Sequence, residues 1–249
     1  MIRALALSLI LLLPLPLRAA EYALPDDPDT ADFVTANLIA VFYHEVGHAL
    51  IDVLDLPVLG REEDAADTLS ALLIDRFWQE DAAVELVYAH ALGFLMYADA
   101  AESGDPGYWG AHSLDIQRYY NLVCLFYGAS PGDRGDVAED LELPAERRES
   151  CPEEWEMAAD SWGAMLDGMV PQDHGPGLRL VVPADRDPYT QIIAAEVEAL
   201  NGEFGLPVRV DVTVEVCGEA NAFYDPRARR IVMCLEYAED LARLYESAP

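Results

Sequence analysis

The feature that most constrains the fold is the motif His44-Glu45-Val46-Gly47-His48, which lies inside an apolar stretch. Apolar residues recur at three- and four-residue steps from about residue 30 to Leu54, which predicts a helix. Residues i and i+4 share one helix face, so the imidazoles of His44 and His48 can reach one Zn²⁺ ion. Glu45 lies beside them, where it can accept a proton from a water whose pKa the metal lowers. The motif therefore predicts a helix that carries a zinc site.

A second helix, expected over about 61–79, offers a third metal ligand. It begins Glu62-Glu63-Asp64-Ala65-Ala66-Asp67, in which Glu63 and Asp67 form an ExxAD pattern. We expect Glu63 to bind the metal and Asp67 to hold a ligand imidazole through its other nitrogen. Glu62 and Asp64 compete for the ligand role, and helix geometry alone does not exclude Glu62. The alternative is a solvated acidic first turn, which the helix dipole favours.

Other histidines and tyrosines are weaker candidates. His112 can donate a hydrogen bond to an oxyanion, and the alternative is a helix-capping or core histidine. His90 lies among apolar residues and is expected in the core, whereas His174 is expected to be solvated. Tyr119 and Tyr120 can offer a phenol to a reaction intermediate, but packing is the favoured role.

The remaining pattern predicts an α+β fold, mainly helical with a small C-terminal sheet. Further helices are expected at about 82–101, 114–127, 152–168, 189–204 and 237–245, with a loop at 130–151. Strands are expected at 178–182, 208–216 and 231–235, and the last of these pairs with 222–224 in a hairpin. Residues 221–223 are a candidate edge strand for pairing with an extended peptide, and the alternative is a plain hairpin. We expect three parts: a signal peptide at 1–20, a helical zinc-binding module at 21–170 and a small α+β module at 171–249.

The first twenty residues have the form of a signal peptide. Arg3 precedes an apolar run over 4–17, and Ala19 or Ala20 offers a cleavage site. The run is shorter than the roughly 20 residues of a membrane span, although a retained anchor is the alternative. We expect no membrane span in the mature chain, which would be bacterial and exported, either periplasmic or secreted.

Export permits disulfides among the four cysteines, which lack CxxC spacing. Four cysteines allow three pairings. We expect the sequential pairs Cys124–Cys151 and Cys217–Cys234, which close two local loops, and buried free thiols are the alternative.

The charge balance excludes one class of partner. The chain has 46 acidic and 15 basic residues, and all the basic ones are Arg, which gives a net charge of −31. Such a surface repels phosphate backbones, so nucleic acid is not expected as a partner. The sequence does not indicate an oligomeric state.

The motifs together resemble known families. HExxH followed by a Glu on a second helix is the gluzincin arrangement of zinc peptidases. More closely, four stretches resemble an uncharacterised bacterial family of metallopeptidases from about residue 33 to the C-terminus. They are His44–Ile51, Gly60–Asp67, Gln117–Gly128 and Cys217–Pro226.

The resemblance implies a zincin-like domain that hydrolyses peptide bonds in a peptide or protein substrate. His44, His48 and Glu63 would bind Zn²⁺ and Glu45 would activate water. His112 is a further candidate catalytic residue from its own sequence context and not from the resemblance. The alternatives are an inactive zinc-binding interaction module of the cell envelope and a zinc amidohydrolase that acts on small amides. Zincins usually place their substrate-pairing sheet before the HExxH helix. Here the strands follow it, so a complete cleft requires the C-terminal part to pack back in a permuted order.

Overall fold

The computed structural model describes residues 22–102, 108–171 and 175–248. The expected signal peptide and His174 lie outside these residues. The described helices are α1 Pro28–Val53, α2 Glu62–Phe77, α3 Glu80–Glu102, α4 Asp115–Ala129, α5 Gly135–Asp140, α6 Ala145–Arg148, α7 Cys151–Ala158, α8 Ala164–Gly168, α9 Pro188–Glu203 and α10 Leu235–Glu246. The described strands are β1 Leu178–Leu180, β2 Val210–Glu215, β3 Ala222–Asp225 and β4 Arg230–Cys234.

Helix α1 lies at the centre of the molecule. It begins where the side chain of Asp27 accepts a hydrogen bond from the Thr30 amide and Pro28 occupies the first turn. It packs against α2, α3, α9, α10 and β3. In the described residues it is the one helix long and apolar enough to cross a membrane, but 83% of its most apolar window is buried inside the protein. We therefore interpret α1 as a core helix.

The helical part differs from the expected pattern between α4 and α8. The expected loop at 130–151 contains the short helices α5 and α6. The apolar side chains of Val137, Ala138 and Leu143 are buried there, so the segment packs on the core despite its many Gly, Pro and charged residues. The single helix expected at 152–168 is two helices joined by a π-helical turn, Ala159–Gly163.

The C-terminal strands form one mixed sheet in the order β1-β2-β4-β3. The β1–β2 and β2–β4 pairs are parallel, and β3 pairs antiparallel to β4. The expected α+β class and C-terminal hairpin are thereby confirmed. Strand β2 is central, and its valines at 210, 212 and 214 are buried. Strand β3 forms one edge of the sheet.

Two disulfides join Cys124 to Cys151 and Cys217 to Cys234. This is the sequential pairing expected from the sequence. The first links α4 to the start of α7, and the second links the segment after β2 to the end of β4. The second bridge therefore lies next to the β3–β4 hairpin.

Candidate metal centre

The close approach of α1 and α2 positions the site. At Gly47, inside the HExxH motif, an added Cβ would lie 2.9 Å from Cα of Ala66, so the two helix backbones touch where both side chains are minimal. About one turn further along α2, the Ser70 hydroxyl donates to the Ala40 carbonyl at 2.7 Å. These contacts place the first turn of α2 directly over His44 and His48.

Three donor atoms converge between the helices. Oε2 of Glu63 lies 3.2 Å from Nε2 of His44 and 3.2 Å from Nε2 of His48. The two Nε2 atoms are 3.1 Å apart. All three donor atoms lie within 4.8 Å of one another and could hold a metal ion. Two imidazoles and a carboxylate are the protein ligands of the catalytic zinc sites of one peptidase group, and tetrahedral Zn²⁺ accepts such a set.

The ring orientation of both histidines fits metal binding. Nδ1 of His44 donates to Oδ1 of Asp67 at 2.7 Å, and Nδ1 of His48 donates to Oε1 of Glu62 at 2.8 Å. When Nδ1 carries the only proton of each ring, as metal binding requires, the lone pair of Nε2 points to the site. Sequence reasoning anticipated the Asp67 contact but missed that of Glu62. The sequence does contain a signal for this contact, because Glu62 and Glu63 are adjacent acids at the start of α2. Two such side chains can reach different turns of a helix that packs against them.

Arg118 on α4 fixes Asp67. Its Nε and one terminal nitrogen each donate to an oxygen of Asp67 at 2.8 Å, a bidentate pair. Its guanidinium also stacks over the Phe94 ring, 4.3 Å from the centroid. Sequence reasoning did not identify Arg118 as a functional residue, because no motif on α4 signals a contact with α2.

The charges of the site follow from these contacts. Hydrogen bonds from His112, His44 and His48 hold the pKa of Glu63 well below its usual range. Burial raises the pKa of Asp67, but the hydrogen bonds from Arg118 and His44 outweigh burial and keep it low. Burial likewise opposes a charge on His44, yet its contacts with Asp67 and Glu63 raise its pKa to about 9. The cluster therefore offers carboxylates with a lowered pKa and imidazoles with a raised pKa, and a dication can bind these groups in place of protons.

Glu45 faces the same cavity and is almost fully buried. Burial raises the pKa of its carboxyl group, and the nearby imidazoles of His44 and His48 act in the opposite direction. A carboxylate whose pKa is raised is a better proton acceptor than one in water.

His112 lies on the third side of the cluster. Its Nε2 is 2.8 Å from Oε2 of Glu63, and its side chain is 51% exposed. Its ring stacks at 21° to the ring of His44, with centroids 5.9 Å apart. The structure therefore brings His112 to the site.

The edge of the sheet forms the opposite wall. A cavity of about 690 Å³ is lined by the motif residues, the start of α2, His112 and the segment 221–226. The Tyr224 hydroxyl donates to Asp52 on α1 at 2.7 Å, which fixes β3 beside the C-terminal half of the motif helix. The C-terminal strands thus pack back on α1, and the sheet edge lies opposite the site although it follows the motif in sequence.

Three other candidates lie outside the cluster. His90 is buried, its Nδ1 lies 3.1 Å from Oδ1 of Asn37, and burial lowers its pKa to about 3. This agrees with its expected role in the core. Tyr119 is buried and donates to the Leu141 carbonyl, and its ring stacks edge-on against Tyr120. Neither tyrosine lines the cavity of the site.

Comparison with known proteins identifies the family of the chain. A family model described as DUF4344, putative metallopeptidase, matches residues 17–166 and 188–248. A search of curated proteins and a search of solved structures found no significant match. The matched residues include the HExxH helix, the first turn of α2, His112 and the β3–β4 hairpin. The chain therefore belongs to this family of putative metallopeptidases.

Proposed function

We propose that this protein is an exported zinc peptidase that hydrolyses peptide bonds in an extended substrate. One observation carries the proposal: the HExxH histidines and Glu63 converge within 4.8 Å in a cavity whose other wall is an exposed sheet edge. Membership of the family supports the same activity.

His44, His48 and Glu63 would hold the metal. The donor set of two imidazole nitrogens and one carboxylate oxygen favours Zn²⁺, which takes such ligands in tetrahedral sites. When bound, the metal supplies a Lewis acid that polarises a carbonyl group and lowers the pKa of water. Asp67 and Glu62 keep both imidazoles in the orientation that binding requires.

Glu45 would move the proton of the reaction. As a buried carboxylate on the cavity wall, it accepts a proton from the attacking water and then delivers it to the leaving amine nitrogen. His112, on the opposite side of Glu63, would donate a hydrogen bond to the carbonyl oxygen as negative charge develops there.

The β3 edge would bind the substrate backbone. The amide of Cys234 donates to the carbonyl of Asn221, so these two residues form a hydrogen-bonded pair at the end of the β3–β4 ladder. Pairing alternates along an antiparallel ladder, so Ala222 and Tyr224 direct their backbone groups to the open edge, where the amide of Ala222 donates to Oδ1 of the neighbouring Asn221 side chain. Both residues line the cavity. An extended peptide can add to such an edge as a further strand.

Export is supported by the two disulfides, which persist mainly in oxidising compartments. It rests otherwise on the sequence of residues 1–20.

The proposal is tested with the mature protein, Zn²⁺ and a mixed library of peptides read by mass spectrometry. We expect cleavage that a chelator abolishes and added Zn²⁺ restores. Glu45→Gln keeps the side-chain shape but removes the proton acceptor, so it should retain zinc and lose at least about 10²-fold in rate.

The matched control for that variant is Glu203→Gln, an exposed acid at the end of α9, which should cleave like the unaltered protein. A Glu45→Gln protein with full activity contradicts the mechanism. A zinc-loaded protein that cleaves no peptide contradicts the peptidase activity and leaves a zinc-binding module.

A further inference from the structure

A groove of about 730 Å³ lies along α1 and α3 and shares no lining residue with the cavity of the proposed metal centre. The Trp78 indole, just before α3, donates to the hydroxyl of Tyr43 at 3.0 Å. The Asn37 amide, earlier in α1, donates to the Ala89 carbonyl, further along α3, at 3.0 Å. The two helices are therefore antiparallel, and the groove follows residues 84–95 of α3 over about 16 Å, or about three turns.

The floor of the groove is apolar. Four half-buried side chains of α3 lie on one helix face at steps of four and three residues: Val84, Tyr88, Leu92 and Leu95. The facing side of α1 contributes buried apolar side chains, among them Phe33. A row of incompletely buried apolar side chains between two helices matches the apolar face of a third helix that packs into the groove.

The rim of the groove is acidic. Four exposed carboxylates border it: Asp29, Asp32, Glu85 and Asp140. The first two lie at the start of α1 and Glu85 near the start of α3, so the antiparallel helices carry carboxylates at both ends of the groove. Asp140 accepts a hydrogen bond from Tyr88, whereas the other three have no ion pair with any residue that the structure describes. No arginine is among the described residues that line the groove.

We propose that this groove binds an amphipathic helix of another protein, one whose polar face is basic. The apolar face of such a helix packs on the floor, and its flanking Lys or Arg side chains reach the carboxylates of the rim. Charge complementarity selects this occupant. A second copy of this chain carries a net charge of −31 and is repelled, as is an anionic lipid surface. The inference does not depend on the proposed peptidase activity.

The test measures the binding of a fluorescein-labelled peptide to zinc-loaded mature protein by fluorescence anisotropy. The peptide contains only Leu and Lys, patterned as an amphipathic helix of about four turns. An ionic strength of about 0.15 M screens attraction beyond about 8 Å. We expect this peptide to bind at least about 10-fold more tightly than the same residues in shuffled order or a Leu/Glu helix, because these lack the apolar face or the positive charge.

A second series with a chelator distinguishes the groove from the proposed active site. The affinity should be the same with and without zinc, and the chelator also prevents cleavage of the peptide. Binding that requires zinc would place the peptide at the metal centre and overturn the inference, with the proposed function intact.

Asp32→Lys with Glu85→Lys reverses the charge at both ends of the groove without altering its floor. Binding should weaken by roughly 10-fold or more, since like charges across an interface oppose association. Glu198→Lys with Glu203→Lys is the matched control: it changes the net charge equally at two exposed acids of α9, which does not line the groove, and should leave the affinity unchanged.

Two results would overturn the inference. Equal losses of affinity in the two double variants, or equal binding of the shuffled peptide, would show a non-specific attraction to the acidic surface. Sedimentation of the free protein as a dimer that the peptide dissociates would assign the groove to a second copy of the chain.

Discussion

Each motif imidazole has a carboxylate of its own on α2, Asp67 for His44 and Glu62 for His48. The two carboxylates differ in surroundings, because Asp67 is clamped by Arg118 whereas the side chain of Glu62 is 51% exposed. A contact in water competes with solvent and contributes less than a buried one. The residues around the proposed metal site therefore form a graded series: one proposed ligand, one clamped support and one exposed support.

Zinc affinity should follow that series. Glu63→Ala removes a donor and should lose zinc almost completely. Asp67→Ala should lose roughly 10–100-fold, the usual range for a group that orients a ligand, and Glu62→Ala should lose less than Asp67→Ala. Affinity is measured by competition with a chromophoric chelator.

The control for this series is Asp81→Ala, an exposed acid in the first turn of α3, which should bind zinc normally. If Glu62→Ala empties the site and Glu63→Ala does not, the ligand is Glu62 and the assignment of Glu63 as the third ligand is incorrect.

At this scale the sequence predicts the spacing along α1 and, through the ExxAD pattern, the contact of Asp67 with a motif imidazole, but it misses the contacts made by other elements. The positions of His44, Glu45 and His48 follow from a fixed spacing on α1. The Arg118 clamp depends on how α4 packs against α2, 51 residues away in sequence, and no local pattern encodes it. His112 was a candidate only by residue type, because its location depends on the fold of a loop.

Among the elements, the α1–α2 pair decides the geometry of the site. The backbones approach at Gly47, which is next to His48, and at Ala66, which lies about one turn after Glu63. A change in helix separation at this point alters the distance between the proposed ligands. We therefore expect stability and metal affinity to be coupled through this contact.

Gly47→Ala should reveal that coupling. The new methyl group would meet the Ala66 backbone at 2.9 Å, and such overpacking costs about 1–3 kcal/mol. Alanine gains about 1 kcal/mol in helix propensity, so we expect a net loss of up to about 2 kcal/mol together with weaker zinc binding. Denaturant unfolding and chelator competition measure the two effects.

Gly202→Ala on α9 is the comparison, since a Cβ there meets nothing within 4 Å. It should be neutral or slightly stabilising and should bind zinc normally. Equal behaviour of the two variants would show that the Gly47 contact does not set the separation of the helices.

The two disulfides close loops of similar length but support different elements. Their sequence separations are 27 and 17 residues, which correspond to about 3.5 and 3 kcal/mol in the chain-entropy description. Cys217–Cys234 adjoins the β3 edge, whereas Cys124–Cys151 joins helices α4 and α7. Loss of either bridge should therefore cost similar stability and have different effects on the cleft.

We expect Cys217→Ala with Cys234→Ala to raise KM for peptides and to retain zinc, because β3 loses its support and the ligands do not. Cys124→Ala with Cys151→Ala serves as the control and should leave KM near that of the unaltered protein. The KM values of both variants are measured by steady-state kinetics at a temperature below their melting temperatures. A larger KM change in the control pair would contradict a substrate role for β3.

Element types were predictable where periodicity was strong, as in α1, α2 and the β3–β4 hairpin. The error lay at 130–151, where Gly, Pro and charged residues indicated a loop but a few apolar side chains fold two short helices onto the core. Burial of apolar side chains in the tertiary structure determines whether such a segment forms helices, and local composition does not. The packing of the sheet edge against the motif helix likewise depends on contacts between distant segments, such as Tyr224 with Asp52.

For the whole molecule, charge is the dominant property. Several of the 15 arginines are paired within the fold, among them Arg118 with Asp67, Arg134 with Glu80 and Arg147 with Glu154. The net charge of −31 therefore leaves a surface dominated by carboxylates. Repulsion between like charges is stronger in the compact state than in the unfolded chain, so it destabilises the fold.

Salt should relieve this repulsion. The Debye length falls from about 10 Å at 0.1 M to about 3 Å at 1 M ionic strength, so the melting temperature should rise across that range. Sodium chloride is compared with sodium sulfate at equal ionic strength, because sulfate also strengthens the burial of apolar groups.

Neutralising two exposed acids of α9, Glu198→Gln with Glu203→Gln, should raise the melting temperature at low salt and reduce its dependence on salt. A melting temperature that is constant or falls with sodium chloride would show that the acidic surface does not limit stability.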